Sequence, residues 1–161
     1  ETDSHDADGT EIARMPVPAG LTAETLKEQM AKFLGDQYQT PPMFSAKKVG
    51  GVPLYKLARQ GQEVAREPRF IRVSKFDLLS WENPKAKFIL SCTKGTYVRT
   101  LCHDLGKRIG CGARMTALRR ISSDKFNVAD AVTLDELSQM SPSSIKKILI
   151  PVRSAVPSLA F

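Results

Sequence analysis

A pair of strand-like segments that runs directly into an amphipathic helix constrains this fold more than any other feature of the sequence. Residues 70–79 and 86–93 alternate in polarity and are rich in β-forming residues, with Asn83-Pro84 marking the turn between them. After this pair the apolar residues recur at helical spacing instead, at Val98, Leu101, Cys102, Leu105 and Ile109. Together these segments predict an α+β fold built on an antiparallel sheet.

The junction between the second strand and the helix carries an unusual set of side chains. Thr96 is the expected N-cap of the helix, and Gly110 lies just past its end. Lys94, Tyr97 and Arg99 then surround the helix N-terminus, where free N–H groups favour an anion and disfavour a cation. Two interpretations stay open on spacing alone: the cations complete an anion-binding site, or Arg99 points into solvent at a small energetic cost.

The segments before the strand pair predict one helix and one long irregular excursion. Thr22 has the position of an N-cap, and Gly35 supplies the stop. The apolar residues between them follow at helical spacing: Leu26, Met30, Phe33 and Leu34. Residues 36–70 are interrupted by proline and glycine and loaded with lysine and arginine, so only a short helix over 53–60 is expected there. Long ordered loops of this kind are often functional.

Smaller elements are predicted after residue 110. A strand is expected over 125–128, and Thr133 with Glu136 forms a capping-box pattern for a helix that runs to Met140. The tail is interrupted by three prolines, at 142, 151 and 157, and is predicted to be an exit linker.

Charge and composition limit the classes of partner. The net charge of +7 and the pI of about 9.5 favour a polyanion, with nucleic acid ahead of an anionic membrane. No apolar run reaches the roughly 20 residues that span a membrane. The three cysteines lack CxxC spacing and make no zinc pattern with the histidines, so three core or half-buried thiols in a reducing cytosol are expected.

Longer motifs stand in a fixed order along the chain. KGTYVRTL at 94–101 is followed by DLGKRIGCGA at 104–113 and LRRI at 118–121. TDSHDADG at 2–9 is similar to a TDTxDADG pattern, and PPMFSAKKVGGVPLYKLARQGQEV at 41–64 is similar to PPMYSALKxxGxxLYxxARxGxEV. These motifs resemble those of the TruB family of tRNA pseudouridine synthases, collinearly from residue 2 to about 140. The tail is similar to the stretch that follows the synthase domain.

The resemblance implies the pseudouridine synthase fold, an antiparallel or mixed sheet flanked by helices, and an isomerase that converts uridine 55 in the T-loop of tRNA into pseudouridine without metal or organic cofactor. Tyr97 matches a tyrosine that lies against the flipped base. Arg99 matches an arginine that pairs with the catalytic aspartate, and Asp6 matches an aspartate that joins the same network of charged groups. The segment at about 41–70 matches the RNA-gripping thumb, with Phe44 in place of the usual tyrosine. RNA contacts are expected from Lys47, Lys48, Lys56, Arg59, Lys94, Leu118 and Arg119.

One motif of the family is missing from the sequence. The family's catalytic aspartate lies in a GxLDPxATG motif upstream of TDTxDADG, whereas the Leu-Asp pair at Leu134-Asp135 reads as part of a helix cap. We therefore expect residues 1–140 to form the C-terminal portion of a synthase domain, incomplete at its N-terminus and inactive alone, and 141–161 to form a linker or the start of a C-terminal region. The expected state is a cytoplasmic monomer that binds the T stem-loop and no membrane. A non-catalytic RNA-binding module with the same surface is the alternative, and composition does not separate the two.

Overall fold

The computed structural model describes residues 1–155, apart from the side chain of Arg153. The chain divides into two compact units, Glu1–Leu118 and Arg119–Phe161. The division expected from the sequence, at residue 140, stays a prediction. The last part of the expected tail, 156–161, lies outside the described residues.

The first unit is built on a three-stranded antiparallel sheet. Its helices and strands are, in chain order, α1 (Ala23–Ala31), β1 (Gly35–Gln39), β2 (Lys48–Val49), β3 (Val52–Pro53), α2 (Leu54–Arg59), β4 (Arg69–Glu82), β5 (Lys85–Cys92) and α3 (Val98–Ile109). The sheet has the order β1-β4-β5, with the long strand β4 in the centre. The predicted strand pair, the turn at Asn83-Pro84 and the following helix are therefore confirmed, and so is the α+β class.

The core lies between one face of this sheet and the helices α1 and α3. Alternation along β4 buries Ile71 and Val73, and Phe76 follows beyond a register shift. The helices contribute the remaining buried residues of the cluster: Leu26, Met30, Phe33, Leu101 and Leu105. Burying a side chain of this size stabilises the folded state by about 1.5–3 kcal/mol, so the core fixes where α3 begins relative to the sheet.

Strand β1 was not predicted, because its sequence GDQYQ carries no apolar alternation. It is an edge strand whose backbone pairs with β4, from Gly35 opposite Val73 to Gln39 opposite Arg69. Helix α1 begins after Thr22, the predicted N-cap, which forms a capping box with Thr25. The helix ends at Ala31, before the last apolar positions of its pattern. The prediction of Gly35 as the helix stop is wrong, because α1 ends at Ala31 with Lys32 as its C-cap. Gly35 instead begins β1 with a φ of +93°.

The segment at 41–70 contains a small hairpin and the predicted short helix. Strands β2 and β3 pair across Gly50 and Gly51, which have φ values of +58° and +82°. Two positive φ values in a two-residue turn suit the twist of a hairpin. Leu54, at the start of α2, is completely buried and anchors the segment.

The second unit holds short elements. They are β6 (Ser122–Ser123), β7 (Phe126–Asn127), a 3₁₀ turn at Val128–Asp130, α4 (Leu134–Gln139), α5 (Pro142–Ile148) and α6 (Val152–Ala155). The capping box of α4 is confirmed, and the strand expected over 125–128 is reduced to two residues. Helices α5 and α6 were not predicted, because the prolines of the tail were interpreted as helix breakers. Pro142 instead occupies the first turn of α5 after the Ser141 cap, where proline is well tolerated.

Candidate active site

The start of helix α3 is the centre of the candidate site. The chain leaves β5 at Cys92, turns through Gly95 at a φ of +83°, and enters the helix after Tyr97. Tyr97 is the N-cap residue and makes no side-chain capping bond. The prediction of Thr96 as the cap is wrong, because its hydroxyl donates back to the Thr93 carbonyl at 2.8 Å and so closes the preceding turn.

Arg99 lies in the first turn of α3 and is bound on two sides. Its Nη1 is 2.6 Å from Oδ2 of Asp6, and its Nη2 donates to the main-chain carbonyl of Phe44. The side chains of Arg99 and Asp6 are 20% and 19% exposed, so the ion pair is largely withdrawn from water. Of the two interpretations left open by the sequence, the solvent-exposed arginine is excluded. The cation at the helix start is compensated by a carboxylate.

Asp6 is held by the tight turn that carries the TDSHDADG motif. The Ser4 hydroxyl donates to its Oδ1 at 2.6 Å, the Asp8 N–H donates to the same oxygen at 3.2 Å, and the Thr2 hydroxyl donates to its main-chain carbonyl at 2.6 Å. Gly9 closes the turn, since a Cβ at this position would lie 2.1 Å from the Ser4 Oγ. Burial by itself raises the pKa of Asp6, but the hydrogen bonds from Ser4, Arg99 and Asp8 outweigh it, so the pKa lies below its ordinary value of 3.8. Asp6 is thus a fixed, ionised partner for Arg99.

His5, a residue of this turn, packs against His103 of helix α3. The rings of His5 and His103 stack with centroids 3.8 Å apart and planes 9° apart, and Nδ1 of His5 lies 3.3 Å from the Thr100 hydroxyl. Burial, followed by the neighbouring His103 imidazole and the nearby positive charges, lowers the pKa of His5 from 6.5 to about 4. The pKa of His103 is also lowered, mainly by burial. Both rings line a cavity of about 510 Å³ on the inner side of the thumb segment. No role was predicted for these two histidines, because they are far apart in the sequence and meet only in the fold.

Gln39 is a further residue of the site that sequence reasoning missed. It is the last residue of β1, is 5% exposed, and forms hydrogen bonds with both main-chain groups of Tyr97. No sequence signal pointed to it, because it stands in a polar stretch without periodicity and 58 residues away from its partner.

The predicted RNA-binding residues occupy three places in the chain. Lys48, Lys56 and Arg59 are exposed on the thumb segment, whereas Lys47 is half-buried with its Nζ 3.5 Å from the Glu67 carbonyl. Lys94 is exposed in the turn that precedes α3. Leu118 is 61% exposed at the end of the first unit, and Arg119 opens the second unit and is also exposed. The thumb segment reaches the site through the Phe44 carbonyl that binds Arg99.

Several negative findings apply to the described residues. Within 1–155 no cluster of three or more His, Cys, Asp or Glu side chains is arranged to hold a metal ion. In that same range, none of the helices combines the length and apolar character that a membrane crossing demands. The three cysteines are free, and Cys102 is buried and Cys111 half-buried, as expected. The same expectation is wrong for Cys92, which is exposed at the end of β5.

The fold is that of the pseudouridine synthases. It superimposes on a chain from the crystal structure of a Cbf5-Nop10-Gar1 complex with a TM-score of 0.67 and 26% identity, over 89% of this chain and 41% of that chain. Residues 1–98 match the family model described as "TruB family pseudouridylate synthase (N terminal domain)", and residues 99–157 match the "tRNA pseudouridylate synthase B C-terminal domain". The chain belongs to the TruB family of pseudouridylate synthases.

Curated relatives of high similarity are named tRNA pseudouridine synthase B. The protein of Opitutus terrae is 59% identical over 158 residues, which cover 98% of this chain and 65% of that protein. The protein of Syntrophotalea carbinolica is 45% identical over 161 residues, which cover 98% of this chain and 52% of that protein. The chain therefore spans between half and two thirds of the length of these relatives.

Proposed function

We propose that the protein to which these residues belong converts uridine 55 in the T-loop of tRNA into pseudouridine, without metal or organic cofactor. Membership of the family and the names of the relatives support the reaction class. The single observation that carries the proposal is the ion pair of Arg99 and Asp6, which is largely withdrawn from water. Arg99 stands two residues after Tyr97, at the start of α3.

The proposed reaction breaks the N1–C1′ bond of uridine and rejoins the base to the same sugar carbon through C5. The proton that C5 carries must leave the base, and N1 gains a proton, so the product is an isomer of the substrate. Tyr97 is proposed to lie against the flipped base and to accept the C5 proton. Arg99 is proposed to orient the catalytic aspartate of the GxLDPxATG motif. A guanidinium has five N–H donors, and the bonds to Asp6 and Phe44 leave donors for a second carboxylate.

The RNA is proposed to be the T stem-loop of tRNA, gripped by the thumb segment at about 41–70. The exposed cations of that segment support this assignment, and flipping the target base out of the loop brings it to Tyr97. Further contacts are proposed at Lys94, Leu118 and Arg119. The monomeric state and the cytoplasmic location stay predictions.

The 161 residues by themselves are proposed to bind RNA without turnover. No GxLDPxATG motif is present in the sequence. Asp135, of the Leu-Asp pair considered above, is exposed in the first turn of α4, beside the capping box of Thr133 and Glu136.

The test uses the whole protein with a T stem-loop RNA and a pseudouridine-specific chemical readout. The expected product carries pseudouridine at position 55 and at no other uridine of the stem-loop. Modification of another uridine would exclude position 55 as the target. Tight, salt-dependent binding with no pseudouridine at all would favour the alternative of a non-catalytic RNA-binding module.

A further inference from the structure

We infer that Gln39 is a positioning residue for Tyr97, and that it acts on turnover by fixing the main chain of that tyrosine. The inference rests on the proposed function, because it is through Tyr97 that Gln39 would affect the reaction. Gln39 is not assigned a chemical step.

The contact between the two residues is a two-point bond. Oε1 of Gln39 accepts the N–H of Tyr97 at 2.8 Å, and Nε2 of Gln39 donates to the carbonyl of Tyr97 at 3.1 Å. A side-chain amide carries one acceptor and one donor group in a plane, so it can serve both main-chain groups of one residue as a neighbouring strand would. Neither an aliphatic nor a carboxylate side chain can make both bonds.

Tyr97 needs this support because of where it lies. It has extended backbone angles, φ −92° and ψ 99°, between the turn at Gly95 and the first residue of α3, and no side chain caps the helix there. Its carbonyl already accepts the first N–H groups of the helix, from Thr100 and Leu101. Gln39 supplies the acceptor for the tyrosine N–H, which the helix does not use.

Gln39 is itself held rigidly. It ends strand β1, where its main chain pairs with Arg69 of β4, and it is 5% exposed. Leaving a buried donor or acceptor without a partner destabilises the folded state, so both ends of the Gln39 amide are committed to Tyr97. The direction of the Tyr97 side chain is therefore set by the sheet through Gln39, and a shift of about 1 Å at a reacting group can lower a rate about 10²-fold.

The test compares Gln39→Met with Gln37→Met in the whole protein. Met has similar length and loses both bonds. Gln37 lies on the same strand, but its side chain donates to the Phe33 carbonyl and not to Tyr97. Gln37→Met is therefore the same substitution on the same strand without loss of a bond to Tyr97. Under single-turnover conditions with saturating enzyme, Gln39→Met is expected to slow the reaction by at least about tenfold and to leave tRNA affinity within about threefold. Gln37→Met should keep the wild-type rate, and equal rates in the two variants would overturn the inference.

A second comparison separates positioning from a general loss of stability. If Gln39 acts through Tyr97, then Gln39→Met in a Tyr97→Phe background should slow the reaction by less than about threefold further, because effects that share one route do not add. A full additional tenfold loss there would contradict the inference.

Amide hydrogen exchange at Tyr97 gives a readout that needs no activity. Exchange of the Tyr97 N–H should accelerate in Gln39→Met, which lacks the acceptor oxygen for this N–H, and not in Gln37→Met. Unchanged exchange would overturn the inference even if Gln39→Met were too unstable for kinetics. If the wild-type protein modifies no uridine, the proposed function fails, while this exchange experiment still decides whether Gln39 fixes the backbone.

Discussion

Arg99 is kept at an unfavourable position by the partners that surround it. A cation in the first turn of a helix is opposed by the helix dipole by about 0.3–1 kcal/mol. A hydrogen bond that involves a charged group contributes about 1.5–3 kcal/mol, and Arg99 makes one to Asp6 and one to the Phe44 carbonyl. The partners therefore outweigh the dipole. Arg99 presents a separate nitrogen to each acceptor, Nη1 to Asp6 and Nη2 to the Phe44 carbonyl, in the planar fork that the single ammonium nitrogen of a lysine lacks.

Two roles are proposed for the Tyr97 side chain, and substitution of this residue can separate them. Stacking on a flipped base needs only the ring, whereas removal of the C5 proton needs the hydroxyl. We predict that Tyr97→Phe in the whole protein leaves tRNA affinity within about threefold but cuts turnover by about 10²-fold or more, as expected for the loss of an acid–base group. Tyr97→Leu should also weaken the complex, because stacking on an aromatic ring is worth about 1–3 kcal/mol per base. Single-turnover kinetics test this, and a near-normal rate in Tyr97→Phe would reduce Tyr97 to a stacking platform.

His5 should make the stability of the fold depend on pH in a defined window. Its pKa is about 4 in the folded state and 6.5 ordinarily. Between these values the unfolded chain binds a proton that the folded chain does not, so the free energy of unfolding falls as the pH is lowered from 6.5 towards 4. His5→Asn cannot titrate and suits the φ of +67° at this position.

We predict that the loss of unfolding free energy between pH 7 and pH 5 is smaller in His5→Asn than in the wild type, measured by urea denaturation of each protein at both pH values. Comparing each variant with itself removes the constant cost of losing the stack on His103. Asp124→Asn, at another position with positive φ, should keep the wild-type difference. An equal pH effect in His5→Asn and the wild type would contradict the prediction.

At the scale of elements, the thumb segment offers a graded test of RNA contact. Lys48 is exposed on the hairpin, whereas Lys47 is half-buried near the Glu67 carbonyl. Each phosphate contact adds about −0.7 to −0.9 to the slope of log affinity against log salt. Lys48→Ala should flatten the slope by about one contact, and adding Lys47→Ala should remove at most about one more. Lys27→Ala, exposed on α1, is the matched control and should leave the slope unchanged. A slope that does not change in Lys48→Ala would indicate that the thumb segment is a solvated charged loop that makes no phosphate contact through Lys48.

The elements also show what the sequence could and could not predict. Strands β4 and β5 and helices α1 and α3 were predictable, because burial of one face imposes a period that the sequence displays. Strand β1 was not, since an edge strand of polar residues is specified by backbone pairing to β4 rather than by its own pattern. The same difference applies to the site. Arg99 and Tyr97 stand in one motif, whereas Gln39 and the His5–His103 stack exist only where separate elements meet.

At the scale of the whole molecule, the sharpest question is whether these 161 residues can catalyse the reaction by themselves. Asp6 is the carboxylate nearest to Arg99 that could substitute for the catalytic aspartate. Its oxygens are, however, occupied by Ser4, Asp8 and Arg99, and displacing these bonds would remove the interactions that keep it ionised and in place. A carboxylate engaged in this way is a poor nucleophile, so we expect Asp6 to orient Arg99 rather than to attack the sugar.

We therefore predict that the purified chain binds a T stem-loop RNA and forms no pseudouridine, while the whole protein does. Binding and turnover are to be measured on the same sample, because salt-dependent binding that Lys48→Ala weakens shows that the thumb segment is formed and that inactivity is not the result of misfolding. Pseudouridine-specific chemistry provides the readout, with the whole protein as the positive control. Clear turnover by the chain would contradict the assignment, and its loss in Asp6→Asn with binding retained would transfer the role of the catalytic carboxylate to Asp6.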